Sequence, residues 1–537
     1  MNSSQVGWNA SSETGVVAAG GARAVEAGIH ILNEGGNAAD AAAATILALN
    51  VTDHGACSIG GEVPVLIYNA QDGEVKSLSG QGRAPLSEAA IAWYMKNGIP
   101  DRNIKMAPVP SVVDLCITML QQYGTNTFEK TVTPTLDLLA ADEESWHNDL
   151  AKTLTRMIEE ERRTDGNREE RLQGACDRFY GRLQHGNDIA NELEEFYVQQ
   201  GGFLRRSDLA AHKTLIEQPV SINYKGYAVY KCGPWTQGPY LCQALKILEG
   251  FDIIKLGRYS PDYVHLITET IKLAMADRDA YYGDPNFTEV PLTELLAESY
   301  AEIRRPLIDM ANASHEIRPG DPINMTAIKE PGVIRPGAGG TTTCLVADRW
   351  GNVVAATPSA NVFHEGGSGR AGVTYGNRLR SLNTTPGHPN CIAPGKRPRI
   401  TLSPTLVLKD DRPILAVSVE GGDMQDQMAL NLVLDFIEFG TKPAEAVLAP
   451  WFSTGHGENS FNPDPIREQT FHELGSLSLT NRTKHSIQEA LQNKGHSIQE
   501  RPKIGSLVAV YLDPESKRLY AAGDPDTQRH AAAMRGG

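Results

Sequence analysis

The chain has 537 residues, 41% of them hydrophobic and 7% aromatic, with 51 glycines and a formal net charge of −15 at pH 7. That length exceeds what one simple core usually holds, and the apolar content excludes an intrinsically disordered chain. The acidic balance, with no basic stripe to offset it, argues against nucleic-acid and anionic-membrane partners, whose contacts rest on Lys and Arg neutralising phosphate.

In chain order, the first residues, MNSSQVGWNASSETG, have neither a positive start nor a continuous apolar core, so they do not resemble a secretory signal. No apolar run approaches the roughly 20 residues that span a bilayer. The seven cysteines are odd in number, widely spaced and without a CxxC pair, which fits free thiols and a cytoplasmic location. A helix is expected over 22–34, ended by Gly35-Gly36 in a left-handed cap, and a second, alanine-rich helix over 38–49. The strongly charged stretch 142–200 reads as a solvated helical lobe. The Pro- and Gly-rich stretch 314–340 reads as extended and mobile. Alternating strands are expected at 405–408 and 507–511, and helices at 428–439 and 483–493. Strand and helical runs in both halves predict an α+β protein with sheets covered by helices.

Competing motifs are thin. There is no GxxxxGK[ST], no full GxGxxG after a strand, no HExxH and no GxSxG elbow, and His364, His388 and His456 show no metal-ligand spacing. Neither a metal nor a cofactor is implied.

The most informative stretch runs from Gly339 to Ser359. The run Thr341-Thr342-Thr343-Cys344-Leu345-Val346-Ala347, the turn around Gly351-Asn352 and the run beginning Val353-Val354 read as a β-hairpin. If Ala347 faces Val353, counting back in register sets Thr341 opposite Ser359. Opposed residues have Cβ atoms roughly 4.5 to 5.5 Å apart, so two hydroxyls meet at the open end. Cys344, three residues after Thr341, falls on the opposite face of the strand.

Cleavage of the Gly340-Thr341 peptide would give Thr341 a nucleophilic hydroxyl and a free α-amine on one residue. An α-amine titrates near roughly 7.7 to 8.0, so it can take the hydroxyl proton near neutral pH, the N-terminal threonine form of nucleophilic catalysis. Gly340 presents no side chain to obstruct attack by the Thr341 hydroxyl on its own preceding carbonyl. Taken alone, a threonine run is also what β-propensity produces.

Three further blocks favour the catalytic reading. GVVAAGGARAVEAGIHILNEGGNAADAAAATILALNVTDHGACSIGG with the later GQGRAP, then GGFLRRSDLAAHK through HLITETIKLAMADRDAYYGDPNF, then Gly340 to about Pro450 with PGKRPRITLSPTLVLKDDRPILAVSVEGG, resemble the γ-glutamyltransferase (glutathione hydrolase) family of N-terminal-nucleophile hydrolases over nearly the whole chain. The resemblance implies a four-layer αββα sandwich and self-cleavage into a large subunit, 1–340, and a small one, 341–537. It makes Thr341 the nucleophile and Ser359 its supporting hydroxyl. Asn361 falls where the family has an asparagine near the substrate α-amino group, and Gly421-Gly422 on the glycine pair whose N–H groups form the oxyanion hole. Alone, Gly421-Gly422 also reads as an ordinary turn.

The departures lie in the pocket for the acyl group. Gln81 stands where the resemblance implies an arginine for the α-carboxylate, and Arg83, two positions on, would share its face on a strand. A serine pair of the family is Ile400-Thr401 here, and the glutamine and aspartate that hold the α-ammonium are replaced by Thr385 and His388. A neutral histidine cannot replace a charged hydrogen bond. The expectation is an amide-bond hydrolase or acyl transferase on γ-glutamyl or related small acyl-amide substrates, the identity of the acyl group staying open, with Arg83 and His388 facing a carboxylate or carbonyl. The alternative is an uncleaved, inactive binding or scaffold homologue. Association into a homo-oligomer stays open.

Overall fold

Two seven-stranded antiparallel sheets lie face to face, each covered outside by helices. The computed structural model describes residues 6–141, 144–329, 341–360, 369–461, 463–466 and 469–534. Edge to edge, the first sheet runs His530–Ala533, Gly15–Ala19, Cys344–Asp348, Val353–Ala356, Val63–Asn69, Glu74–Gly80 and Leu215–Glu217. The second runs Asn9–Ser12, Leu519–Gly523, Ser506–Leu512, Arg412–Glu420, Thr405–Lys409, Tyr227–Lys231 and Val220–Tyr224. Each sheet mixes strands from before residue 330 with strands from after 340, so the two stretches interleave and share their cores.

Side-chain alternation divides the interior into three apolar layers. Val16, Ala18, Leu66, Leu345, Ala347 and Ala355 of the first sheet meet Leu406, Ala416, Val508 and Val510 of the second between the sheets. Val17, Val65, Val346 and Val354 point outward, onto helices. Val417, Val419, Leu507 and Ala509 do the same on the far side, under the helices Pro239–Leu248, Pro261–Tyr281 and Gln425–Phe439. This is the expected αββα sandwich.

The helices Ala22–Asn33 and Ala38–Thr52 cover the first sheet. The first ends before Gly35, at φ +86°. The second starts on a capping box, in which Asn37 accepts from the Ala39 and Asp40 N–H groups while the Asp40 carboxylate accepts from the Asn37 N–H. Its alanines let it lie close on the strands, and all of residues 38–50 are buried.

Two expectations are corrected. The stretch 142–200 is not simply a wet lobe: its helices His147–Arg163, Arg168–Tyr180 and Asp188–Gln199 bury Leu150, Leu154, Met157, Leu172, Phe179 and Tyr197 in the core beneath the first sheet. Charge on one face hid an apolar stripe on the other. In 314–340, residues 330–340 lie outside the described residues, whereas Ile317 and Arg318 are buried and Arg318 bonds Glu269 and the Leu307 carbonyl, which anchors that part rather than leaving it mobile.

Candidate active site

The hairpin has the expected register. Ala347 pairs with Val353 and Cys344 with Ala356, and the Thr342 N–H donates to the Pro358 carbonyl at 2.8 Å, which continues the same pairing one step short of Thr341 and Ser359. Ser359 and Glu62 then exchange both backbone hydrogen bonds, at 2.9 and 2.8 Å. Val63 pairs with Gly80, the last residue of its strand. Thr341, Ser359 and Glu62 thus form one row across three adjacent strands, at one end of the sheet. Alternation turns the row toward the second sheet, because Leu345, Ala355 and Leu66 on those three strands all face it.

Both hydroxyls are buried. Thr341 Oγ1 accepts from Gln425 Nε2 at 3.3 Å, and Ser359 Oγ accepts from Arg378 Nη2 at 2.7 Å. Arg378 Nε donates to Glu62 Oε1 at 2.5 Å. Burial raises the Glu62 carboxyl above its ordinary range, although Arg378 pulls it down. From the second sheet, the strand Arg412–Glu420 runs into Gly421 and Gly422, at φ +141° and +60°. Only glycine adopts the first of these readily. The Gly422 carbonyl accepts from Gln237 Nε2 at 3.3 Å, and Gln425, three residues on, reaches Thr341. One short turn therefore carries both the glycine pair and the donor to Thr341.

Phe461 closes the other side. Its ring lies 3.1 Å from where a Cβ on Gly422 would stand, and the guanidinium carbons of Arg378 and Arg380 lie 5.3 and 4.5 Å from its centroid. Arg380 has its pKa lowered to about 10, first by burial and then by Arg378.

The remaining candidates are dispersed. Asn361 lies outside the described residues. Arg83 lies past the end of the strand at Gly80 and sits half-buried in the field of Arg397, Asp284 and Glu217, its pKa lowered first by burial and then by Arg397. His388 is corrected: Nδ1 engages Asn383 and the Asn390 N–H, and Nε2 the Asp279 carbonyl, so its nitrogens fold the loop. Thr385 lies on the same turn, where its carbonyl accepts from the His388 N–H. Thr401 is buried and follows Ile400, whose carbonyl accepts from the Gln237 N–H at 2.8 Å, one link from Gly422. Cys344 packs on the helix side of its strand with its thiol pKa pushed up by burial. Glu62, Arg378, Arg380, Gln425 and Phe461 escaped sequence reasoning. Glu62 alone left a signal, as the residue interrupting a glycine run.

Among the described residues, His265, Glu269 and His496 are the group whose ligand atoms cluster closely enough for a metal ion. Glu269 is already bonded by Lys272 and Arg318, and two cations on the one carboxylate oppose a third.

The sequence profile described as gamma-glutamyltranspeptidase matches residues 24–142 and 139–534. The chain is 29% identical over 555 residues to a glutathione hydrolase proenzyme of Escherichia coli (strain K12), covering 96% of this chain and 90% of that one. It is 30% identical over 345 residues to an acylase ACY 1 proenzyme of Pseudomonas sp. (strain SE83), covering 63% and 56%. The crystal structure of a cephalosporin acylase from Bacillus halodurans superposes with a TM-score of 0.81 at 25% identity, over 100% of this chain and 98% of that one. The chain belongs to the gamma-glutamyltranspeptidase family.

Proposed function

We propose that the protein cleaves itself between Gly340 and Thr341 and then hydrolyses or transfers the acyl group of a small-molecule amide through the new N-terminal threonine. The observation that carries this reading is the hydrogen bond from Gln425, three residues past Gly422, to Thr341 Oγ1, with Ser359 opposite Thr341 in the hairpin register. The proenzyme names of the glutathione hydrolase and acylase relatives support it.

In this reading the Thr341 α-amine takes the hydroxyl proton as Oγ1 attacks the amide carbonyl. The tetrahedral oxyanion is met by the Gly421 and Gly422 N–H groups, neither of which donates to a backbone oxygen among the described residues. Collapse breaks the C–N bond, the ammonium returns its proton to the leaving amine, and an ester to Thr341 remains. Water, or a second amine, then attacks the ester with the α-amine again as base, and Oγ1 leaves with the proton. Gln425 Nε2 donates to Oγ1, which stabilises developing negative charge on that oxygen. Ser359 Oγ accepts from Arg378 Nη2, which fixes the hydroxyl opposite Thr341.

The test is the size of the purified chain. Wild type should run as two pieces, 1–340 and 341–537 by mass spectrometry, and Thr341→Ala as one inactive chain. A wild-type protein that stays at full length yet turns over amides would overturn the N-terminal mechanism, and one that stays at full length and inactive would favour the scaffold reading.

A further inference from the structure

Two adjacent glycines have no side chains to limit their own φ and ψ, so whatever aims the N–H groups of Gly421 and Gly422 must act from outside the pair. The carbonyls of the turn show what does. The Met424 N–H donates to the Gly421 carbonyl at 3.1 Å, Gln237 Nε2 to the Gly422 carbonyl at 3.3 Å and Gln427 Nε2 to the Asp423 carbonyl at 3.2 Å. In a trans peptide the carbonyl and the N–H point opposite ways, so the bond that draws the Gly421 carbonyl into the turn directs the Gly422 N–H out of it. Gln237 stands just before the helix Pro239–Leu248 and is itself held by Arg278, in the helix Pro261–Tyr281. Arg278 Nη1 donates to Gln237 Oε1 at 2.8 Å and to Asp423 Oδ1 at 2.6 Å, and Ser460 Oγ gives Oδ1 a second bond at 2.6 Å. Gln237 and Arg278 are both fully buried.

We propose that Arg278, acting through Gln237, is the positioning residue of the oxyanion turn: one guanidinium nitrogen, divided between Gln237 and Asp423, fixes the backbone on the far side of Gly422 and so the direction in which the glycine pair presents its N–H groups. This rests on the reading of Thr341 as nucleophile and of the glycine pair as its oxyanion donors. Charge balance does not call for the bond to Gln237. Asp279 Oδ1 accepts from Arg278 Nε at 2.7 Å, and with Asp423 it already gives the buried guanidinium two carboxylates, which make the stronger, charged hydrogen bonds. The contact to a neutral amide adds direction. It passes the rigidity of a packed helix to a backbone that has none of its own, and it does so at the one carbonyl between Gly422 and Asp423. Gln237 is anchored from its other side as well, since its N–H donates to the Ile400 carbonyl at 2.8 Å, so its amide is fixed at both ends when it reaches the turn.

The test uses the cleaved enzyme, the fastest substrate among γ-glutamyl-, glutaryl- and acetyl-p-nitroanilide, and methylboronic acid as a transition-state analogue whose Kd is read by boron NMR whatever the substrate. Thr341 Oγ1 adds to boron, the α-amine takes the hydroxyl proton, and the tetrahedral boronate anion sets an oxygen where the oxyanion would lie. Gln237→Leu should lower kcat about 100-fold, the lower end of what a misplaced oxyanion donor costs, and raise the boronic acid Kd by a similar factor while KM stays close to wild type. Gln237→Glu keeps the acceptor for Arg278 but sets an oxygen against the Gly422 carbonyl, and should lose at least as much. Arg278→Lys keeps the charge without the planar fork and should fall between wild type and Gln237→Leu; because Gln237→Leu changes no charge, it carries the test if Arg278→Lys folds poorly. Variants that lose melting temperature yet keep wild-type kcat and Kd, or lose kcat with Kd unmoved, overturn the positioning and leave Thr341 standing as nucleophile. A cleaved wild type that binds no boronic acid overturns the oxyanion reading of the turn and the proposal with it, and a chain that stays uncleaved overturns the nucleophile reading beneath both.

Discussion

The Thr342 hydroxyl donates to the Asp53 carboxylate at 2.6 Å, from the face of the strand opposite Thr341. Asp53 follows the helix Ala38–Thr52 and lies 3.8 Å from Arg529, which also bonds Glu420, the residue before Gly421. The Thr341 strand and the Gly421-Gly422 turn are thus tied together through Asp53 and Arg529. Thr342→Val removes one donor and leaves a part-buried carboxylate short of it, at a cost of about 1–3 kcal/mol. The expected outcome is self-cleavage and kcat both slowed about tenfold, with KM little changed, followed by gel densitometry and steady-state kinetics. Cleavage at the wild-type rate would show that the tie does not position Thr341.

Ser359→Ala takes away the acceptor of Arg378 Nη2 and the hydroxyl beside Thr341. A general acid–base or positioned proton-transfer group contributes typically 10²–10⁴-fold, and because Gln425 still donates to Thr341, the lower end applies. kcat should fall about 100-fold while the melting temperature drops by only a few degrees. Equal losses in stability and rate would reduce Ser359 to a structural residue.

Gly422→Ala and Gly421→Ala strain the same turn for different reasons. A Cβ at Gly422 meets the Phe461 ring at 3.1 Å, where the ring must give by a few tenths of an ångström. At Gly421 a Cβ meets Gly505 Cα at 3.1 Å, with φ at +141°, a region that costs other residues about 1–3 kcal/mol. Misaiming one oxyanion donor costs about 10²–10³ in kcat. Gly421→Ala should show the larger loss of both kcat and thermal stability, and the reverse order would mean that Phe461 packing governs the turn.

What the sequence made legible was local in period. Alternation in the two runs around Gly351-Asn352 gave the hairpin register down to Thr342 and Pro358, and glycine and asparagine punctuation gave the first two helices. Illegible were the contacts that only the third dimension makes. Arg378 and Glu62 are 316 residues apart, and neither stands in a motif that announces a partner. The charged lobe misled because polarity outnumbers the apolar stripe without displacing it. His388 misled because a ring in a loop reads as a ligand until its nitrogens are found bonded within the fold.

Buried histidines set the acid response of the fold. Burial lowers His212 to a pKa of about 4, His456 to about 3 and His496 to about 2. For His496 the hydrogen bonds give a reason. His265 Nε2 donates to the Asp309 carbonyl at 2.8 Å, so His265 Nδ1 accepts from His496 Nε2 at 2.8 Å. A proton added to His496 would lie on Nδ1, which is buried without a partner, in the field of Lys272, His315 and Lys494. In the unfolded chain these histidines titrate near 6.5. Below that pH the unfolded chain binds protons that the folded chain refuses, so stability is at its full value above about 6.5 and declines as pH falls toward the folded values. Each histidine adds a slope of up to about 1.4 kcal/mol per pH unit. The buried Glu62, Asp277 and Asp426, whose pKa values are raised, act oppositely, because they bind protons in the folded chain before they do in the unfolded one, which offsets part of the decline near the carboxylate range. Denaturant unfolding from pH 7.5 to 5 should therefore show stability falling from about pH 6.5 downward, ahead of any carboxylate titration. His496→Gln, which keeps a donor for His265 and cannot titrate, should flatten that slope by about one proton. An unchanged slope in the variant would mean that His496 is protonated in the folded protein, and the tautomer chain from Asp309 through His265 would be wrong.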